Sequence, residues 1–229
     1  MKNCILIALL FIGLVPTQAQ KIVEKHLTFA PNGFVAMNFQ ISDSIRIITW
    51  KKNEVYVKSS IDVNDNQNND DYNMVFDETG GTVNIQGKLE TDKIRRRQDS
   101  ADKNNKNKNN NCCCCCNYNS TIIHEVYLPE NADFSVETIN GNIVITGNTA
   151  EIKAHTISGY IDLAIAPDRK AGVKMHTISG TMYSNIELNS ASRGVRHVGG
   201  GSVTADLNGG GKSIDLQTIS GNIFFRKEG

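Results

Sequence analysis

Thr138-Ile139-Asn140-Gly141, Thr156-Ile157-Ser158-Gly159, Thr177-Ile178-Ser179-Gly180 and Thr218-Ile219-Ser220-Gly221 are four versions of one phrase. Their starts lie 18, 21 and 41 residues apart, and the long interval contains one degenerate version, Val198-Gly199-Gly200-Gly201. The phrase thus recurs about every 20 residues, the period of a solenoid whose turns bury their apolar sides only against neighbouring turns. Ahead of each copy, Phe134 and Val136, Ile152 and Ala154, Val173 and Met175, and Ile214 and Leu216 share one side with the Thr that follows. Beyond each glycine the alternation resumes in Ile143 and Ile145, in Ile161, Leu163 and Ile165, and in Ile223 and Phe225. Period-two alternation is the strand signal. Each copy therefore reads as two short strands hinged at an Asn/Ser-Gly corner, with stacked copies about 4.8 Å apart. Glycine would supply positive φ at the corner, and the inward Thr hydroxyl would bond to corner backbone groups.

The rest of the chain shows the same period-two alternation but lacks the clear repeat. Strands are expected at Ile22–Phe29, Phe34–Phe39, Ser44–Trp50, Glu54–Val63, Tyr72–Phe76, Thr82–Gly87 and Ile122–Leu128, separated by clusters such as Pro31-Asn32-Gly33 and Thr79-Gly80-Gly81. No segment carries a sustained helical pattern. The expected fold is all-β: a single-stranded β-solenoid or β-helix-like stack, with irregular N-terminal strands covering one open end. Gly199–Gly201 and Gly209–Gly211 predict a bulge or loosened rung, and Arg226-Lys227-Glu228 reads as a charged guard on the other open end. Residues 93–120, with Asn104-Asn105, Asn109–Asn111 and Cys112–Cys116, have almost no apolar content and read as a disordered insertion within a single domain spanning 20–229.

Lys2, the apolar run Ile5–Val15 and Thr17-Gln18-Ala19 have the form of a secretory signal peptide over residues 1–19. Cys4 precedes the apolar run, where a lipoprotein cysteine would follow it. No stretch approaches the ~18 apolar residues of a membrane span, so the expected location is periplasmic, cell-surface or secreted. Without Met1–Ala19, which carries one lysine, 24 basic residues fall to 23 against 24 acidic, a net charge near −1. That balance argues against nucleic-acid binding and against strong attachment to anionic membranes.

The Thr-Ile-Ser-Gly phrases, with Ser44-Ile45-Arg46-Ile47-Ile48-Thr49-Trp50 and Glu54-Val55-Tyr56-Val57 upstream, resemble the bacterial β-strand-repeat proteins labelled putative adhesins, a domain of unknown function. The resemblance covers most of the chain beyond residue 19. It implies an exported, all-β, solenoid-like domain and brings no catalytic or binding residues with it. The Asn/Cys-rich insertion is a departure from the pattern.

Candidate chemistry is sparse. Cys112–Cys116 reads first as an incidental loop of mixed oxidation, then as an interchain disulfide bridge and last as a soft-metal ligand set, and its spacing matches no paired C-x-x-C zinc signature. Directly before the Thr positions stand Glu137, His155, His176 and Gln217, with Arg196 and His197 near the equivalent place. They form either a polar ladder facing solvent or, with two stacked imidazoles and a carboxylate, a zinc or pH-sensing stripe. Asp62-x-Asn64-x-Asn66 hints at a calcium loop, but Gln67 and Asn73 occupy its glycine and closing-acid positions, which favours a polar turn. Lys93, Arg95, Arg96, Arg97, Lys103, Lys106 and Lys108 make a basic patch partly offset by Asp99 and Asp102, a solvated loop or a contact for anionic glycans. No G-x-S-x-G, H-E-x-x-H or phosphate-loop motif occurs. No catalytic, cofactor-binding or metal residue is therefore assigned. The expected function is non-enzymatic, an adhesin acting through its surface on an unidentified glycan or protein. The alternatives are an envelope sensor or scaffold and, less favoured, a polysaccharide-active enzyme.

Overall fold

The computed structural model of the protein describes residues 20–103, 118–130, 132–147, 149–190 and 200–228. Residues 1–19, Cys112–Cys116, Arg196 and His197 lie outside them. Alternating burial produces β1 (Lys21–Thr28), β2 (Phe34–Trp50), β3 (Glu54–Val63), β4 (Tyr72–Thr79) and β5 (Thr82–Leu89). After a helix α1 (Thr91–Lys103) come β6 (Ser120–Pro129), β7 (Asp133–Thr146), β8 (Ile152–Ser158), β9 (Ile161–Ile165) and β10 (Ala171–Ser179). The chain closes with β11 (Met182–Ser184), β12 (Asn189–Ser190), β13 (Gly201–Leu207), β14 (Lys212–Ser220) and β15 (Ile223–Lys227).

These strands form one large mixed sheet, folded along the repeated phrase into two limbs. β2 and β7 run through the fold line, so their first halves pair in one limb and their second halves in the other. The first limb runs β4-β5-β2-β7-β8-β14-β10-β13-β12 and the second β1-β3-β6-β2-β7-β9-β15-β11. Pairing at the centre is parallel, and antiparallel strands β1, β3, β4, β12 and β13 flank it. Phe134, Val136, Ile214 and Leu216 of the first limb and Ile143, Ile145, Ile223 and Phe225 of the second meet in one buried cluster. Each such side chain contributes about 1.5–3 kcal/mol by leaving water.

The sequence expects the copies to stack in chain order, and the structure differs. Thr138 pairs with Thr156, Thr156 with Thr218, and Thr218 with Thr177, so the last copy lies between the second and third. Val198 and Gly199 of the expected fifth copy lie outside the described residues, and the segment that follows is no parallel rung: Gly201–Leu207 runs antiparallel to β10 as β13 and brings the chain back. The return passes under the turn after β9: Asn208 Nδ2 donates to Pro167 O (3.0 Å) and Arg169 O (2.8 Å). A Cβ on Gly211 would stand 2.6 Å from Lys170 O. The glycines at 209–211 thus serve a backbone crossing rather than a loosened rung. Because of the swap, β15 is an interior strand, and Arg226 donates to Asp162 of β9 (2.6 and 3.0 Å) rather than guarding an open end.

The corner is a ladder of hydroxyls and glycines. Thr156 Oγ1 donates to Gly141 O (3.2 Å), Thr218 Oγ1 to Gly159 O (3.4 Å) and Thr177 Oγ1 to Gly221 O (3.0 Å), the role expected for the inward Thr. The glycines need a different explanation from the one the sequence suggests. Of the four, Gly159 alone has positive φ, at 135°. What they share is contact: a Cβ on Gly159, Gly221 or Gly180 would collide with the carbonyl of the glycine on the adjoining copy. The phrase isoleucines, in contrast, point outward. Ile139, Ile157, Ile219 and Ile178 are 47, 39, 38 and 57 % exposed and make a ridge along the fold line.

β2 is itself a copy that the phrase does not reveal. Phe39 pairs with Thr138 and Ile41 with Asn140, and a register shift between Ile41 and Ser44 absorbs one extra corner residue. Phe39 occupies the Thr position because its ring stacks on the buried His124 ring, centroids 4.0 Å apart.

Residues 93–103, expected to be disordered, are helical. Ile94 is buried in a second cluster with Ile61, Val63, Tyr72, Leu89 and Ile122. Arg97 makes a bidentate pair (2.6 and 2.9 Å) with Asp71, whose side chain is only 4 % exposed. One apolar residue and one fork-like ion pair dock an otherwise polar helix. Residues 104–117 lie outside the described residues.

Candidate binding surfaces

The outward side of the first limb carries the predicted stripe, but in a different order. Glu137 pairs with His155, His155 with Gln217, and Gln217 with His176. The two imidazoles are thus two strands apart, about 9.6 Å at ordinary sheet spacing, with an amide between them. A shared metal needs nitrogens about 2.0–2.1 Å from the ion, which this separation does not provide. No group of three or more His, Cys, Asp or Glu among the described residues is arranged to hold a metal. The stripe is a polar ladder beside a shallow depression of about 340 Å³, lined by Ser135, Glu137, Lys153, His155, Asp215 and Gln217. Gln217 Nε2 donates to Asp215 (2.9 Å), and Lys174 pairs with the same carboxylate (3.7 Å).

The calcium reading is displaced by a polar turn. Asp62 Oδ1 accepts from Asn66 N (2.8 Å), Asn64 Nδ2 donates to Asn68 (2.7 Å), and Asn66 Oδ1 accepts from Asn69 Nδ2 (3.0 Å). Asn64, Asp65 and Asn66 take left-handed φ of 52°, 52° and 66°, which Asn and Asp tolerate best among residues with a side chain. Within the basic patch, Arg95 pairs with Asp92 (3.2 Å) and Arg97 with Asp71, while Lys93 and Arg96 are exposed on α1. Lys106 and Lys108 lie outside the described residues.

His124 is a polar centre that the sequence does not single out. It is fully buried on β6, its Nδ1 2.7 Å from Ser59 Oγ and its Nε2 3.1 Å from Tyr72 Oη. Burial drives its pKa down to about 3 and pushes the Tyr72 hydroxyl up, so both stay neutral. With both nitrogens engaged and no solvent access, this is a satisfied polar network joining the two apolar clusters, with no path for a substrate.

The second limb presents an aromatic platform. Trp50, Tyr56 and Tyr127 are half-buried neighbours on β2, β3 and β6, with centroids 5.3 Å (Trp50–Tyr127), 5.7 Å (Tyr56–Tyr127) and 6.1 Å (Trp50–Tyr56) apart. His26 of β1 adjoins the cluster, 4.6 Å from Tyr56. Trp50 is held in place: its Nε1 donates to Glu54 O (2.9 Å) and Lys52 Nζ sits 4.5 Å from the centroid of the indole, while Glu54 takes His26 (3.3 Å) and Lys52 (3.7 Å). Period-two alternation alone places these rings outward, so the signal existed. Their convergence comes from the pairing of Tyr56 with Tyr127, 71 positions further along the chain. Rigid, half-exposed Trp and Tyr side chains supply contact area at low entropic cost and dominate binding hot spots.

No family model matches the chain, and no curated protein matches it by sequence. Its fold is similar to that of a putative cell adhesion protein from Clostridium sporogenes, with a TM-score of 0.53 at 11% identity, over 92% of this chain and 100% of that one. Two further bacterial structures are described as putative adhesins. The one from Bacteroides fragilis has a TM-score of 0.23 at 7% identity, over 92% of this chain and 99% of that one. The one from Parabacteroides merdae has 0.25 at 8%, over 72% of this chain and 69% of that one. At these identities the first likeness speaks to fold alone, and the other two scores carry no argument.

Proposed function

We propose that this is an exported, non-enzymatic adhesin-type protein, a rearranged β-solenoid that binds an extended surface ligand through its second limb. The Trp50–Tyr56–Tyr127 platform carries this reading. These are large amphipathic rings, packed against one another and half-exposed, with Trp50 anchored to the Glu54 carbonyl and Lys52, Glu54 and His26 beside them. Such a cluster, its rings inclined by 23–38° to one another, suits contact with sugar rings or a partner's apolar side chains. The signal-like residues 1–19 and the adhesin-type fold neighbour support action outside the cytoplasm. The test is binding of the purified chain to cell-surface glycans and host cells, with Trp50→Ala and Tyr127→Ala beside the native protein. Loss of at least tenfold in affinity in folded variants supports the platform. Unchanged binding refutes it. Protease applied to intact cells separates surface display, where the protein is digested, from periplasmic retention.

A further inference from the structure

The fold line carries a surface that the binding role proposed above does not use. Ile139, Ile157, Ile219 and Ile178 stand on the successive strands β7, β8, β14 and β10 and remain 47, 39, 38 and 57 % exposed. At ordinary sheet spacing, about 4.8 Å per strand, they form an apolar ridge about 14 Å long. The ridge is convex, because both limbs fold away from it onto the buried cluster. Single exposed apolar residues need no explanation, but a contiguous run with polar margins marks an interaction surface.

Two further observations narrow the partner. The corners are free of charge: residues 138–142, 156–160, 177–181 and 218–222 contain no Asp, Glu, Lys, Arg or His, although 21% of the chain is charged. Their backbone is also bonded from copy to copy. Gly159 N donates to Ser220 O (3.2 Å), Gly221 N to Ser179 O (2.9 Å), Tyr160 N to Asn142 Oδ1 (3.2 Å) and Thr181 N to Asn222 Oδ1 (2.9 Å). A hydrocarbon medium admits only backbone whose polar groups are satisfied internally, and these corner amides meet that condition. Beside the ridge, on the second limb, Tyr160 (38 % exposed) and Tyr183 (50 %) flank Phe224, with ring centroids 6.0 and 5.1 Å from it. Tyrosines placed so suit the boundary between hydrocarbon and headgroups. On the first limb the polar ladder of Glu137, His155, Gln217 and His176 stands two positions before the isoleucines, where it would face headgroups.

We propose that this ridge docks the protein onto an uncharged lipid surface, the four isoleucines entering the outer part of the hydrocarbon and the tyrosines lying among the headgroups. A second copy would meet it ridge against ridge, a line contact far short of the roughly 800 Å² per partner of a stable interface. A sugar finds no flat ring on isoleucine, and an added peptide strand finds the corner amides engaged. A fluid bilayer moulds itself to a convex ridge and needs no charge from the protein. Trp50 ends β2 six residues beyond the corner irregularity at Ile41/Ser44, which is about 20 Å of strand. A docked molecule therefore keeps its aromatic platform clear of the lipid.

The test is co-sedimentation with phosphatidylcholine vesicles of the chain from Gln20 onward, which contains every strand of the fold. Residues 1–19 are left out because the run Ile5–Val15 would enter lipid unaided. Binding should be the same at low and at high salt. Ile157→Ser combined with Ile219→Ser should weaken it by roughly tenfold or more, from the apolar area no longer removed from water. The melting temperature of that variant should not change, since both side chains face solvent. Trp50→Ala should leave vesicle binding unchanged, which separates this inference from the platform reading. In a Trp50→Phe background, the indole introduced by Ile178→Trp should be quenched by lipids brominated along their acyl chains. Absence of co-sedimentation, an unquenched indole, or native binding by the double serine variant would overturn the proposal. So would binding confined to anionic phosphatidylglycerol vesicles and abolished by salt, or a ridge-dependent dimer in sedimentation equilibrium that binds no vesicles.

Discussion

Mild acid should unfold this protein through His124. The ring titrates near its unperturbed value of 6.5 when the chain is unfolded and at about 3 when buried between Ser59 and Tyr72. Between those values the unfolded chain binds the extra proton and the folded chain does not. Stability therefore rises with pH across this window and is lost as pH falls from about 6.5 toward 3. At pH 5 the cost is RT ln of the ratio of the two protonation polynomials, about 2 kcal/mol, growing to about 3 kcal/mol at pH 4. With a urea dependence of about 2 kcal/mol per M, the midpoint should drop by about 1 M between pH 7.5 and pH 5. The assay is urea unfolding at both pH values for the native protein and for His124→Asn. The variant should be weaker at pH 7.5 by about 1–3 kcal/mol, since it leaves a buried hydroxyl unpaired, but it should lack this part of the acid sensitivity. Every other titrating group is common to both proteins, so the difference of differences isolates the imidazole. If the two lose the same stability between pH 7.5 and pH 5, the buried neutral histidine is not the acid trigger.

Other consequences follow from the corner and the stripe. Gly221→Ala should cost about 3 kcal/mol or more, because its Cβ meets the Gly159 carbonyl, whereas Gly172→Ala, whose Cβ would find its nearest neighbour at 3.9 Å, should be neutral or stabilise by up to about 0.5 kcal/mol in thermal unfolding. Thr156→Val removes a bonded hydroxyl and should cost about 1–2 kcal/mol. Thr138→Val removes an unbonded one and should cost little or stabilise. Zinc should leave the melting temperature of the cysteine-blocked native protein unchanged, since Gln217 separates the imidazoles, and a rise of several degrees would refute the ladder order.

The inward pattern was readable because it is local. Glu54–Val63 alternates without interruption, and β3 has those bounds. The inward and outward sides of each phrase also follow from the spacing alone, as the Thr hydrogen bonds bear out. Where a residue's identity answers to a distant partner, the pattern breaks. Phe39 hides a copy because its neighbour is His124, 85 positions on, and α1 forms in a polar stretch because Asp71 and the pocket for Ile94 await it.

The order of the copies was unreadable for a deeper reason. Each copy brings the same Thr, the same glycine and the same apolar positions to its neighbour, so local matching energies hardly distinguish Thr156 against Thr177 from Thr156 against Thr218. Register within a pair is strongly specified, because a slip of one residue would turn the buried set outward. The choice of pair is not specified in that way. What decides it is the connection: the antiparallel return of β13 along β10 and the glycine crossing beneath Lys170 deliver β14 to the inner side of β10. The same logic governs the surface sites. The stripe was visible as outward residues, but its chemistry depends on which copies adjoin, and inserting Gln217 between His155 and His176 changes a possible metal pair into a polar ladder. Arg169 reaches the Ala150 carbonyl (2.6 Å) only because the turns before β8 and β10 are brought to one end by that arrangement, a contact that the repeat itself could not announce.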